Sequence, residues 1–253
     1  MIYAICIGRD GSRGFPLKNT HKINGMPLMA YPIQAAYNSK QVDEVYFSTE
    51  SRKLKYIAEK WGATVIDRPK KLSTDEALSD DVWSHGFNWI LDNVLMGAWR
   101  SNVSRSSKIK QIEFLVLLFA NAVGINTWML DEMIEKLRDD AIADSICTVS
   151  SYPTFTPYRM RKIDSDGFLV PFIDNIDWDE ISCDRDSGGK PYIYDCCCAV
   201  VKPKCIEEIG DGMPPQKWLG RRILPYENLS PIFDIDFPYQ IEQLKFWADN
   251  HWY

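Results

Sequence analysis

The feature that most constrains the fold is an uninterrupted apolar run, IEFLVLLF, at residues 112–119. A run without polar alternation has no side that suits water, so it predicts a central parallel strand covered on both faces. Strand-like and helix-like patterns alternate along the chain around it. Together they predict an α/β fold in which a doubly wound, mostly parallel sheet lies between layers of helices.

The first 150 residues contain short apolar runs separated by segments with apolar residues at helical spacing. The predicted strands are residues 2–7, 42–48, 64–66, 112–119 and 145–150. Two helices are predicted at residues 53–61 and about 80–95. Two more are predicted from apolar stripes made by Met29, Ile33, Ala36 and Tyr37, and by Leu130, Met133, Ile134 and Leu137. The serine-rich residues 100–110 predict a solvated loop.

Residues 151–203 show a different pattern, in which prolines, aromatics and turn motifs interrupt short β-like segments. We interpret this range as an inserted β-rich lobe within a single domain of residues 1–253. The chain then returns to the main sheet through residues 222–226 and 232–235. It ends on a helix whose predicted apolar face is formed by Phe237, Ile241, Leu244 and Ala248.

Composition excludes several classes of function. The net charge is −6 and basic residues form no long block, which argues against a nucleic-acid partner. No window approaches the apolar run of about 18 residues that a membrane span needs, and the start shows no signal peptide. Seven cysteines include no CxxC pair with zinc-like spacing, so we expect buried, reduced thiols in a cytoplasmic protein.

The strongest indication of function is the segment IGRDGSRGFPLKN at residues 7–19, here called the glycine loop. It follows a predicted strand and combines glycines with cations: Gly8, Arg9, Gly11, Arg13, Gly14 and Lys18. Glycines let backbone amides approach a phosphate chain closely, and the cations neutralise it. The loop matches neither the P-loop nor the Rossmann fingerprint. A merely flexible polar loop is the alternative.

A second indication is the sequence FDID, in which alternation along a strand puts Asp234 and Asp236 on the same side. Two adjacent carboxylates repel each other unless a cation joins them. Mg²⁺, which prefers carboxylate and phosphate oxygens, meets that requirement. A solvent-facing strand edge would give the same pattern, so the pair gains weight only beside a phosphate-binding loop.

Five segments in a fixed order resemble the cytidylyltransferases that make CMP-activated acidic sugars, and in particular the acylneuraminate cytidylyltransferases. They are IGRDGSRGFPLKN, INGMPLMAYPI, VYFSTES, RPKKLSTDEALSDDV and FDID, and they span nearly the whole chain. The resemblance implies a three-layer nucleotidyltransferase sandwich whose β-rich lobe forms a homodimer. It further implies a Mg²⁺-dependent transfer of CMP from CTP to a small acidic acceptor, a nonulosonic (sialic acid-like) sugar.

The resemblance also implies roles for individual residues. The triphosphate and nucleotide contacts would be Arg9, Gly11, Ser12, Arg13, Lys18 and Asn19. Lys18 would lie against the α-phosphate and act in catalysis together with Arg9. Arg68 and Ser79 would help to hold the cytidine, and Asp234 and Asp236 would bind Mg²⁺.

Three departures from the family pattern concern the phosphates and the acceptor. Asp10 stands where the family has a glycine, residues 119–122 replace Gln-Pro-Thr-Ser, and Asp195 with three cysteines replaces Asn-Gly-Ala. A cytidylyltransferase for a phosphonate or another non-sugar acceptor is therefore an alternative. A DxD glycosyltransferase and a non-catalytic nucleotide-binding protein are the others.

Overall fold

The structure, a computed structural model, describes residues 1–95, 103–184, 188–228 and 234–251. Within these ranges the chain forms eleven strands and seven α-helices. The strands are β1 (Ile2–Ile7), β2 (Lys22–Ile23), β3 (Met26–Pro27), β4 (Glu44–Thr49), β5 (Thr64–Asp67), β6 (Phe114–Phe119), β7 (Ser145–Ser150), β8 (Arg161–Ile163), β9 (Leu169–Pro171), β10 (Ile193–Val201) and β11 (Ile223–Glu227). The helices are α1 (Ala30–Tyr37), α2 (Arg52–Lys60), α3 (Ser79–Asn93), α4 (Arg105–Ile109), α5 (Thr127–Asp139), α6 (Lys204–Glu207) and α7 (Gln240–His251).

Seven strands form the central sheet in the order β11-β7-β10-β6-β1-β4-β5. β1 pairs in parallel with β4 on one side and β6 on the other. β10 is antiparallel to both of its neighbours, β6 and β7. The remaining strands share one direction, so the predicted mostly parallel sheet is confirmed.

Two apolar cores lie on opposite faces of this sheet. Along β1, Ala4 and Cys6 belong to one core, whereas Tyr3 and Ile5 belong to the other. The first core packs against α1, α5 and α7, and the second against α3 and α6. Because both faces are covered, β1 and β6 contain almost no polar residues, as a buried parallel strand requires. The result is the predicted three-layer sandwich.

The strongly periodic segments form the helices that their spacing predicts. The α5 stripe, residues 130–137, points into the first core, and Leu130, Met133, Ile134 and Leu137 are all fully buried. Met29, the N-cap residue of α1, and Ile33 within the helix are fully buried, but Tyr37 is 59% exposed and does not belong to the buried face. Tyr37 instead lies over Gly62, where any side chain would contact its ring.

The serine-rich stretch is only partly a loop. Residues 96–102 lie outside the described residues, but α4 follows them, with the Ser104 side chain accepting a hydrogen bond from the Ser107 N–H at its start. Serine is a favourable N-cap, and this explains why a serine-rich segment begins a helix. The prediction of a loop throughout residues 100–110 was wrong for the α4 residues.

The predicted lobe boundary at residue 203 was also wrong, because β10 lies within residues 151–203 and belongs to the main sheet. The part between β7 and β10 contains the small antiparallel β8–β9 hairpin and no α-helix among its described residues. Several large apolar side chains of this part are exposed, namely Phe155, Met160, Ile163, Phe168, Leu169 and Phe172.

The C-terminal segment differs from the prediction in its local structure. Residues 232–233 lie outside the described residues, and residues 234–236 are not assigned to a strand. Ile235 is nevertheless buried between two partly exposed aspartates, so the predicted alternation of sides is present. Ile241 and Leu244 are buried on α7, whereas Phe237 precedes the helix and is 48% exposed. The side chain of Ala248 lies outside the described part.

The seven cysteines are all free thiols. Five are buried in the cores, as predicted: Cys6, Cys147, Cys197, Cys198 and Cys205. Cys196 is partly exposed and Cys183 is exposed, so the prediction of burial was wrong for these two. Every helix among the described residues is too short or too polar to cross a lipid bilayer.

Candidate active site

A cleft of about 490 Å³ opens at the carboxyl ends of β1 and β6. The chain leaves β1 toward β4 on one side and returns to β6 on the other, so the strand order reverses at this point. In open α/β sheets a reversal of this kind leaves a crevice in which ligands bind. Residues from the glycine loop, from the β6 exit and from the segment before α7 line the cleft together.

Most of the residues that the sequence singles out meet in this cleft. The predicted site residues that line it are Arg9, Ser12, Arg13, Lys18, Asn19, Arg68, Ser79, Asp234 and Asp236. Gly11 does not line the cleft; it is exposed, and a Cβ atom added there would meet no other atom within 4 Å. The two ends of the chain therefore converge on one cavity.

Close packing joins the glycine loop to the carboxylate segment. A Cβ atom on Gly14 would lie 2.7 Å from the backbone oxygen of Asp236, closer than non-bonded atoms allow. Within the loop, the Asn19 side-chain amide donates a hydrogen bond of 2.9 Å to the Arg9 carbonyl oxygen. Asn19 is buried, so this bond holds the start and the end of the loop together.

The Lys18 ammonium is the group that links the two ends of the chain directly. Its Nζ atom lies 2.5 Å from Oδ1 of Asp236. Burial and the neighbouring Asp236 charge raise the pKa of Asp234, although Lys18 opposes the shift. A partly buried carboxylate beside a second carboxylate is stabilised by a nearby cation, and a metal-binding pair of carboxylates has this arrangement.

The residues present fit Mg²⁺ better than a metal that needs a complete protein cage. No group of three or more His, Cys, Asp or Glu side chains suited to a metal occurs among the described residues. Mg²⁺ commonly takes one or two carboxylates and completes its octahedral shell with water and substrate phosphates. Asp234 and Asp236 supply those two carboxylates in a cleft that also contains the loop cations.

One carboxylate that the sequence reasoning missed neutralises both loop arginines. Asp75 Oδ1 lies 2.6 Å from Arg9 Nη2, and its Oδ2 lies 2.5 Å from Arg13 Nε. The hydrogen bond from Arg9 has the largest effect on the pKa of Asp75. Together with the other contacts to the two arginines, it lowers that pKa. Asp75 falls within the segment RPKKLSTDEALSDDV, but nothing in the pattern of that segment indicates that this side chain faces the glycine loop.

Arg68 forms a buried network at the base of the loop. Its Nη2 atom donates to the Gly8 carbonyl oxygen at 2.7 Å and to Glu50 Oε2 at 2.9 Å. Its Nε atom donates to the Ser73 hydroxyl at 3.0 Å. Burial alone would raise the pKa of Glu50, but the hydrogen bond from Arg68 holds it below its ordinary value. Arg68 thus fixes the β1 exit as well as lining the cleft.

Asp10, which departs from the family pattern, turns away from the cleft. Its Oδ2 atom accepts a hydrogen bond of 3.0 Å from the Ser51 hydroxyl, and Ser51 is the N-cap residue of α2. A carboxylate is favourable near a helix N-terminus, where the backbone N–H groups carry partial positive charge. Asp10 is not among the residues that line the cleft.

The two altered acceptor segments lie in different places. Phe119 and Asn121 line the cleft, and the Phe119 ring packs edge-on against Trp83 with centroids 5.5 Å apart. The Asp195 carboxylate is fully buried and accepts hydrogen bonds from the hydroxyls of Thr148 (2.5 Å) and Ser150 (2.8 Å). Burial raises its pKa. Asp195 therefore ties β10 to β7 instead of lining the cleft.

Comparisons with known proteins find several cytidylyltransferases that are similar to this chain. Residues 3–88 match the family model described as Cytidylyltransferase. The chain is 25% identical to N-acylneuraminate cytidylyltransferase of Oncorhynchus mykiss over 94% of its own length and 49% of that protein. It is 37% identical to the protein of the same description from Escherichia coli, over 36% of this chain and 22% of that one. The chain thus spans about half or less of the length of these relatives.

A third relative has a name that specifies two activities. It is the pseudaminic acid cytidylyltransferase and UDP-2,4-diacetamido-2,4,6-trideoxy-beta-L-altropyranose hydrolase of Helicobacter pylori. The chain is 34% identical to it over 64% of this chain and 28% of that protein.

Solved structures share the fold at low sequence identity. CMP:2-keto-3-deoxy-manno-octonic acid synthetase, solved with CTP, superposes with a TM-score of 0.64 at 11% identity and covers 98% of both chains. 4-Diphosphocytidyl-2C-methyl-D-erythritol synthase of Anaerococcus prevotii gives 0.57 at 12% identity, over 98% of this chain and 96% of that one. These likenesses show that the chain shares the overall α/β fold of these proteins.

Proposed function

We propose that the chain, which is similar to acylneuraminate cytidylyltransferases, transfers CMP from CTP to an acidic acceptor and releases pyrophosphate. We take the acceptor to be a nonulosonic, sialic acid-like sugar. The observation that carries the proposal is the contact between Lys18 and Asp236. It unites a phosphate-binding loop with a pair of carboxylates in one cleft at the carboxyl ends of β1 and β6.

The glycine loop would hold the triphosphate. Arg9 and Arg13 are both paired with Asp75, whose carboxylate occupies the position that a phosphate group would take between two guanidinium groups. Arginine binds phosphate well because its planar N–H groups match two oxygens at once. Triphosphate binding therefore exchanges Asp75 for phosphate oxygens.

The nucleoside end would lie near Asn19, Arg68 and Ser79. The Asn19 Oδ1 atom is buried and has no hydrogen-bond partner within the described part of the chain. A buried acceptor without a partner is costly, so a hydroxyl or amino group of the nucleoside is a fitting donor. Leu72 and Val82 add apolar surface to the same cleft.

The chemical step needs no covalent enzyme intermediate. An acceptor hydroxyl oxygen forms a bond to the α-phosphorus while the bond from that phosphorus to the bridging oxygen breaks, and the hydroxyl proton passes to solvent. Lys18 and Arg9 hold the phosphate oxygens on which charge accumulates, and this electrostatic stabilisation supplies most of the catalysis in phosphoryl transfers. Mg²⁺ bound at Asp234 and Asp236 would neutralise phosphate charge and lower the pKa of the acceptor hydroxyl.

The acceptor assignment is supported by the relatives, whose names specify N-acylneuraminate and pseudaminic acid. Phe119 favours a second candidate. It occupies the position of the family's glutamine and presents an aromatic ring to the cleft. A ring cannot donate or accept the hydrogen bonds that a polyhydroxylated sugar offers an amide. An acceptor with fewer hydroxyls, such as a phosphonate, is therefore the alternative.

A pyrophosphate-release screen tests the proposal. The four nucleoside triphosphates are each combined with Mg²⁺ and with a panel of 2-keto acid sugars and phosphonates. We expect release with CTP and a 2-keto acid sugar, and its loss when EDTA removes the metal. Pyrophosphate release only with phosphonates would favour the second candidate, in which the acceptor is a phosphonate. CTP binding without release from any acceptor would indicate a non-catalytic nucleotide-binding protein.

We also propose a homodimer and a cytoplasmic location. The exposed apolar side chains around the β8–β9 hairpin support the dimer, because contiguous exposed apolar surface commonly marks a protein interface. The seven free cysteines support a reducing compartment.

A further inference from the structure

The segment that carries the two carboxylates lacks the support of a sheet. Residues 234–236 belong to no strand, although Asp234 and Asp236 must be held close together against their mutual repulsion. Ordinary strand pairing would fix such a segment through a ladder of backbone hydrogen bonds. Here the backbone groups are bonded by two amide residues, by the backbone and side chain of Asn121 and by the side chain of Gln240.

Asn121 holds the segment from the sheet side. It is buried and is the second residue after the end of β6. Its backbone oxygen accepts a hydrogen bond of 2.9 Å from the Ile235 N–H. Its side-chain Nδ2 atom donates at 3.1 Å to the Ile235 carbonyl oxygen and at 3.1 Å to Asp234 Oδ2. One asparagine thus fixes both the backbone of the segment and the orientation of one carboxylate.

Gln240 holds the same segment from the other end. Its Oε1 atom accepts hydrogen bonds of 2.7 Å from the backbone N–H groups of Asp236 and Phe237. Its Nε2 atom donates at 3.1 Å to the Asp234 carbonyl oxygen. Gln240 is the first residue of α7, so these bonds fix the segment relative to the helix. Within the described part of the chain, these three hydrogen bonds of the Gln240 side chain all go to backbone groups of residues 234–237.

We infer that Asn121 and Gln240 are positioning residues that set the Asp234 and Asp236 carboxylates in the geometry needed to bind a divalent cation. The inference rests on the proposed function, since it assigns the two carboxylates to a metal. Groups that orient metal ligands through hydrogen bonds typically change metal affinity or activity by about 10- to 100-fold when they are removed. Neither amide was singled out as a site residue from the sequence.

The test measures binding of Mn²⁺ alone, as a paramagnetic substitute for Mg²⁺, from the loss of its free electron paramagnetic resonance signal. We expect Asn121→Ala and Gln240→Met to raise the Mn²⁺ dissociation constant by about 10- to 100-fold. Gln240→Glu keeps the oxygen that accepts from the two backbone N–H groups, so it should recover most of the affinity. The thermal unfolding midpoint is measured for every variant.

The matched control is Asn126→Ala. Asn126 caps α5 by accepting a hydrogen bond from the Met129 N–H, and it does not line the cleft. This variant should lower the unfolding midpoint by a few degrees and leave the Mn²⁺ dissociation constant unchanged. It therefore separates lost stability from lost positioning.

Two results would overturn the inference, and they differ from each other. Equal Mn²⁺ affinity in the unchanged protein and in both amide variants would reject positioning while leaving the metal site intact. Absence of Mn²⁺ binding by the unchanged protein, at concentrations up to millimolar, would reject the metal site in the proposed function and the inference with it.

Discussion

At the scale of single residues, ion pairs between distant segments of the chain organise the cleft. Lys18 and Asp236 were both assigned to the site from residue type and motif, and the structure brings them into contact. Asp75 and Glu50 were missed, because an ion pair between loops depends on how the loops pack. Asp10 shows the converse: its charge was expected beside the phosphates, but Ser51 holds it at a helix N-terminus.

Asp75 provides the first prediction at this scale. Asp75→Asn should lower the dissociation constant for CTP by about two- to fivefold, since partly exposed ion pairs of this kind contribute little and compete with phosphate. Isothermal titration calorimetry in the presence of Mg²⁺ measures the effect. Glu113→Gln, which removes the carboxylate that pairs with Arg138 far from the loop, is the matched control and should leave CTP binding unchanged. Weaker CTP binding by Asp75→Asn would mean that Asp75 orders the arginines for the ligand.

At the scale of elements, strong periodicity was sufficient to predict the central strands and helices. The local sequence did not determine which strands pair with each other. Nothing in residues 193–201 indicates that β10 inserts antiparallel between β6 and β7, because strand order is set by the whole sheet. The carboxylate segment alternates as a strand would, yet it is held by side chains. Periodicity therefore predicted which way these side chains point, but it did not predict whether the segment forms a strand.

The contact between the glycine loop and the carboxylate segment can be tested with one methyl group. Gly14→Ala places a Cβ atom 2.7 Å from the Asp236 backbone oxygen and must push the two elements apart. We expect pyrophosphate release to fall by about a hundredfold, since displacements near 1 Å can have this effect on a reaction. Steady-state kinetics give the value, and near-normal turnover would show that the contact is dispensable.

Two other glycines serve as controls for this substitution. Gly210→Ala introduces a methyl group into open space far from the cleft and should change neither turnover nor the unfolding midpoint. Gly11→Ala also meets no protein atom within 4 Å. A loss of CTP affinity in Gly11→Ala would therefore report a close approach of the ligand to that backbone.

At the scale of the whole molecule, the sheet order creates the cleft, and the β8–β9 hairpin exposes large apolar side chains. The reversal of strand order between β1 and β6 places a loop from the N-terminus and a segment from the C-terminus in one cavity. The sequence predicted this convergence through family resemblance. It could not give the acceptor, because Phe119 and Asn121 replace the residues from which an acceptor would be inferred.

The surface around the β8–β9 hairpin leads to a prediction about assembly. Replacing Phe168 and Leu169, both about 70% exposed, by serine should weaken dimerisation by roughly a hundredfold, given the free energy of burying two large apolar side chains. Analytical ultracentrifugation measures the dissociation constant. Tyr56→Ser removes an equally exposed aromatic from α2 and should have no effect. A dimer of unchanged affinity would place the interface elsewhere.

The central claim is that the glycine loop and the carboxylate pair act as one catalytic unit, and a double-mutant cycle on pyrophosphate release from CTP tests it most directly. Lys18→Ala and Asp236→Asn should each lower turnover by about a hundredfold to a thousandfold, with the fold retained as judged by circular dichroism. The double variant should be no slower than the worse single variant, because residues that act as a unit are strongly non-additive. Near-normal turnover in Lys18→Ala, or losses that multiply in the double variant, would contradict the account.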